Sequence, residues 1–160
     1  MATNERFMPV PPEAVWEALA DAEGYGYWVV GSKLIRDVEP AWPAPGSRFH
    51  HTVGIGPMKV SDHTVSLAAE RPRLLRMRAK ARPLGTAQVE LTMTPEDGGT
   101  RVRMRENPDG PTALLAFNPL VQLLVHGRNA ESLMRLEELA LRHAATIVES
   151  PRAGGEALPA

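Results

Sequence analysis

Three ionisable side chains sit at positions that the local periodicity turns inward. His51 is in phase with Phe49, Val53 and Ile55 along a strand-like run, so it points to the interior while its neighbour His50 points away. Glu106 continues the phase of Val102 and Met104, which puts a carboxylate on a dry face near a strand end. Burying that group without a partner is costly, so it must be neutral, paired or at a wet rim. His126, with Asn129, interrupts the apolar side of a long helical pattern. Imidazole and carboxylate are groups that move protons. If they converge, His51, Glu106 and His126 form a catalytic acid/base set for enolisation or dehydration of a keto compound, with Asn129 orienting a carbonyl. Each also has a plainer reading: a core histidine held by a hydrogen bond, a rim carboxylate, and helix groups that satisfy strand carbonyls.

Other chemistries lack their residues. There is no cysteine, which excludes disulfides, thiolate metal ligands and a Cys nucleophile. No H-x-x-x-H spacing or carboxylate-rich loop occurs, so no metal is expected, and no G-x-S-x-G elbow supports a serine hydrolase. Gly54-Ile55-Gly56 leads into a strand rather than a helix N-terminus, so it reads as a turn and not a phosphate loop. Asp62-His63 falls where the apolar phase moves from Met58/Val60 to Val65/Leu67, which predicts a bulge there and leaves open which of the pair faces in. No tightly bound cofactor is expected.

The formal charge of −1 provides no basic field for nucleic acid or anionic lipid. Arg76, Arg78, Lys80 and Arg82, with Arg101, Arg103 and Arg105, read as a solvated face, because no aromatic residues interleave with them for base stacking. No signal-like N-terminus and no run of about 20 apolar residues is present. A cytoplasmic protein without a membrane span is the expectation.

The elements that must position these groups are readable in outline. Residues 74–106 alternate with period two through three segments: Leu75, Met77, Ala79 and Ala81, then Ala87, Val89, Leu91 and Met93, then Val102 and Met104. That is the pattern of antiparallel strands with one wet face. Upstream lie a strand around Thr3–Val10, an amphipathic turn-and-a-half carrying Val15, Trp16 and Leu19, and a short helix from Asp21 through Tyr27 or Trp28. Strands Leu34–Glu39, Arg48–Ile55 and Met58–Ala69 follow, the last two joined at GIGP. From about Pro119 to Val148 a helix presents Arg128, Glu131, Arg135, Glu138 and Arg142 to solvent. Its opposite stripe is His126, Asn129, Leu133, Leu136, Ala140, Ala144 and Ile147. Asn118-Pro119 reads as a kink or break near its start. The expectation is one domain over residues 1–149, followed by a disordered tail at 150–160.

A sheet wrapped on one long helix tends to enclose a cavity. Trp28, Phe49, Met77, Val89 and Leu133, with Asn129 as a polar group, are the expected ligand-binding positions. Tyr25, Tyr27 and the inward methionines Met58, Met93, Met104 and Met134 add to an adaptable apolar lining.

The segments VPPEAVWEALAD, YGYWVVGSKLIRDVEPAWPAPGSRFHHTVGIGPM, SDHTV and NPLVQLLVHGRNAESLMRLEELA resemble the polyketide cyclase/dehydratase-like branch of the START-like, or SRPBCC, superfamily over about residues 4–145. The resemblance implies the α+β helix-grip fold: a curved antiparallel sheet of about seven strands around a long C-terminal helix, with two short helices after the first strand. It implies a small hydrophobic, lipid- or polyketide-like ligand. The alternatives are a cofactor-independent cyclase or dehydratase, and a protein-interaction module; a homodimer is left open. No catalytic residue carries over from the resemblance, since fold alone does not specify function.

Overall fold

A continuous meander of six strands, closed at one edge by the N-terminal strand, forms the sheet. The computed structural model describes residues 2–55, 58–81, 85–109 and 117–149. In chain order the elements are β1 (Ala2–Met8), α1 (Pro12–Ala20), α2 (Tyr25–Trp28), β2 (Ser32–Val38), β3 (Arg48–Ile55), β4 (Met58–Glu70), β5 (Leu74–Ala81), β6 (Gly85–Glu96), β7 (Gly99–Asp109) and α3 (Pro119–Glu149). The seven strands are ordered β1-β7-β6-β5-β4-β3-β2, every neighbouring pair antiparallel. This is the helix-grip arrangement. The expected tail at 150–160, Gly56-Pro57 of the hairpin, Arg82 and the side chain of Met58 lie outside the described residues.

Alternation in β5 to β7 works as the residue types dictate. Leu75, Met77, Val89, Leu91, Met93, Val102 and Met104 are buried on the inner face. The outward arginines meet acidic partners: Arg76 with Glu90 at 2.6 Å, Arg103 with Glu5 at 2.6 Å and Arg101 with Glu96 at 2.9 Å. The arginine rows are therefore a laced, solvated face rather than a free basic strip.

Strand β4 departs from expectation. The register irregularity lies between Ser66 and Ala68, not at Asp62-His63. Asp62, Thr64 and Ser66 are buried, while Leu67 is exposed. From Asp62 to Ser66 the inward side chains are thus polar, while Val65 and Leu67 lie on the other face, the reverse of what hydrophobicity alone assigns.

Helix α3 begins at the expected break, with Asn118 outside the helix and Pro119 inside it. Asn118 Oδ1 accepts hydrogen bonds from the Leu120 and Val121 amides at 2.9 and 3.4 Å, and Pro119 fills the first helical position. Asn129, Leu133, Leu136 and Ala140 form its buried stripe; each leucine contributes about 1.5–3 kcal/mol on burial. The helix runs close along β1, α1 and α2. Three expectations are corrected here: His126, Met134 and, near the C-terminal end, Ile147 are exposed. Helical phase predicts a direction around the axis but not whether anything lies opposite it. The first turns of α3, with Leu120, Leu123 and Leu124, are likewise exposed.

Helices α1 and α2 close one end of the sheet. Pro12 opens α1, whose Ala14, Val15, Trp16, Ala18 and Leu19 are buried. The Leu19 carbonyl near its end accepts from the Tyr25 phenol at 2.9 Å and the Trp42 indole at 3.4 Å, so its acceptor capacity is used rather than lost on burial. Tyr27 instead faces outward, donating to Glu138 beside Arg135 and Arg142.

Candidate functional site

The inner face of the sheet carries two polar stations separated by apolar and small side chains. The first is on β3 and β4, where pairing sets His51 directly opposite Asp62. Both are buried. The imidazole crosses β4 to reach β5, where Nε2 lies 3.2 Å from the Lys80 carbonyl oxygen. Its Nδ1 is buried and without a hydrogen-bond partner among the described residues. Burial pushes the His51 pKa below the usual histidine value, against the opposing pulls of the Lys80 carbonyl and the Asp62 charge.

An aromatic cluster backs this station. Tyr25 packs on Trp28 and on Phe49 with ring centroids 4.8 Å apart in each case, Trp42 meets Phe49 edge-on at 4.7 Å, and Phe49 lies 5.8 Å from the His51 ring. Trp28 Nε1 is a second buried polar atom with no partner among the described residues.

The second station joins β7 to α3. Glu106 accepts from Asn129 Nδ2 at 2.9 Å and pairs with Arg128, whose guanidinium also reaches Asn129 Oδ1 at 3.2 Å. Nearby, Asn4 Nδ2 donates to the His126 carbonyl at 3.0 Å, and Arg6 pairs with Glu137. These contacts latch the helix to the β1–β7 edge.

Between the stations, strand pairing lays out two inward rows. One runs from Glu106 through Val89 and Met77 to Ser66; the next runs from Phe49 through Thr64 and Ala79 to Ala87. Ala79 and Ala87 are only half-buried although they share the face of buried Met77 and Val89. Ala79 and Ala87 are thus small, partly open positions on the inner face, flanked by larger apolar side chains.

Among the described residues no hydrogen bond or ion pair of His51, Glu106 or His126 joins one of these side chains to another. Four strand steps, about 19 Å around the sheet, separate β3 from β7, so His51 and Glu106 occupy different stations. His126 is exposed and contributes its carbonyl to a structural bond. Among the described residues no three His, Asp or Glu side chains form a group able to hold a metal ion. None of the described helices is long and apolar enough to cross a membrane.

Sequence reasoning missed two participants. Arg128, read as solvent-facing, pairs with Glu106 from the margin of the buried stripe. Asp62 had a usable signal: with a two-residue connection placing Ile55 opposite Met58, counting four residues back along each strand sets His51 opposite Asp62.

Residues 2–140 match the family model described as polyketide cyclase / dehydrase and lipid transport. No curated protein matches the chain. Similar solved structures include protein NE0264 from Nitrosomonas europaea, with TM-score 0.70 at 20% identity, covering 89% of this chain and 95% of that one. Protein TTHA0849 from Thermus thermophilus gives 0.63 at 24%, covering 88% and 97%. Ara h 8.0201 gives 0.69 at 14%, covering 88% and 96%. At these identities the likeness is one of fold.

Proposed function

Since the chain belongs to the polyketide cyclase/dehydrase and lipid transport family, in the START-like/SRPBCC superfamily, we propose that it binds a small hydrophobic, lipid- or polyketide-like molecule between its sheet and α3. The observation that carries this reading is the half-buried row of Ala79 and Ala87, bordered by Met77 and Val89. An apolar guest laid there removes exposed methyl and methylene surface from water at about 25 cal/mol per Å². Met77, Val89 and Leu133 line the body of the ligand, and Trp28 and Phe49 form the wall behind its polar end. Asn129 is already engaged by Glu106 and Arg128, so its part is to hold the helix in place. The test is titration with an uncharged, environment-sensitive dye. Saturable fluorescence enhancement, reversed by a long-chain alcohol or an aromatic polyketide, supports the proposal; no saturable binding rejects it.

Turnover is the second reading, favoured by the buried register pair His51–Asp62, which lies beside the Phe49–Thr64–Ala79–Ala87 row. In it, His51 Nδ1 removes a proton from the carbon next to a ligand carbonyl, forming an enolate and an imidazolium. The imidazolium then returns that proton to a departing β-hydroxyl, which leaves as water. Here Glu106 keeps the helix latched and does not transfer protons. Loss of water from a β-hydroxyketone, followed by mass, distinguishes this reading from simple carriage.

A further inference from the structure

The orientation of one buried imidazole restricts the chemistry of the ligand. Nε2 of His51 faces the Lys80 carbonyl oxygen at 3.2 Å, and a carbonyl can only accept, so Nε2 carries the hydrogen. Nδ1 is then either a second N–H or a bare lone pair. The whole residue is 6% exposed, and Nδ1 has no partner among the described residues. An imidazolium would bury both a charge and an unanswered donor, which is costlier than an unanswered acceptor. The neutral ring, protonated at Nε2, is the form this environment selects, and the direction of its pKa shift agrees. A buried acceptor lacking a donor is the kind of group that a bound molecule satisfies.

Resting on the ligand-binding reading above, we infer that the ligand carries a hydroxyl group, phenolic, enolic or alcoholic, that donates its hydrogen to His51 Nδ1. The station is an acceptor set at the edge of an apolar row. It therefore selects hydroxylated hydrophobic molecules over equally shaped ethers and ketones, and over carboxylate lipids, which offer no proton and set negative charge against a lone pair. His51 is thus a specificity-determining residue, with the Lys80 carbonyl as the group that sets its tautomer.

The experiment compares 2-naphthol with 2-methoxynaphthalene, close in shape but differing in the donor, by calorimetric titration and dye displacement on the full chain. The native protein should prefer 2-naphthol by about tenfold, and His51→Phe should bind the two alike while still binding 2-methoxynaphthalene. Equal affinities in the native protein, with the dye bound and displaced by both, overturn the hydroxyl inference and leave ligand binding standing. Failure of the dye and both naphthalenes to bind removes the ligand-binding reading and this inference with it. A measurement independent of any variant is the nitrogen-15 spectrum of the ring at neutral pH. Protonation at Nε2 alone is expected; a proton on Nδ1 overturns the inference.

Discussion

Glu106 on β7 and Asn129 on α3 are joined by a 2.9 Å hydrogen bond, and Asn129 is completely buried there. The amide spends its donor on the carboxylate and its oxygen on Arg128, so it bridges an ion pair rather than facing a guest. Asn129→Leu should therefore lower unfolding free energy by about 1–3 kcal/mol, the cost of stranding hydrogen-bonding groups. Glu106→Gln should lose stability on a similar scale, by weakening the bond to Arg128, and leave dye affinity within about threefold. Chemical denaturation of both variants checks this; unchanged stability with abolished binding would place the pair in the ligand site instead.

Much of this scaffold is legible in residue order, because period-two and period-3.6 patterns report which face is dry. Met77, Val89, Val102, Leu133 and Leu136 all read correctly for that reason. Patterns report less where a face is dry but polar. Asp62, Thr64 and Ser66 point inward against their apolar neighbours, a choice made by pairing with β3 and β5 rather than by hydrophobicity. Nor does a pattern tell where a covering element ends: His126 continues the α3 stripe yet is exposed. Arg128 is a further case, since its long side chain curls back to Glu106 from a position that phase assigns to solvent.

Acid should destabilise the fold partly through His51. Its pKa is lowered by burial, so the unfolded chain binds the proton more readily. The associated stability is fully present above the ordinary histidine value of about 6.5 and is lost as pH falls through it and then through the lowered native value. His63 is shifted in the same direction, mainly by burial, and adds to the slope. In thermal melts at a series of pH values, His51→Phe should lose less stability on acidification than the native protein; an unchanged slope would show that His51 does not titrate in this way.

Filling the inner row should block binding with little effect on folding. Ala87→Phe projects a ring over the face shared with Ala79 and Met77, where Ala87 is half-buried. Dye binding should fall at least tenfold with stability changed by under about 1 kcal/mol. A loss of about 1–3 kcal/mol, the usual result of overpacking, would indicate an inner face already filled.

Where a guest sits decides between an interior and a surface site, and methyl-selective NMR during titration with 2-naphthol measures it. Binding between sheet and helix predicts saturable shifts at Met77, Ala79, Ala87, Val89 and Leu133, with Leu120, Leu123 and Leu124 on the exposed start of α3 unmoved. Shifts confined to those three leucines, with Met77 and Val89 unchanged, would contradict an interior site and put the ligand on the surface of α3.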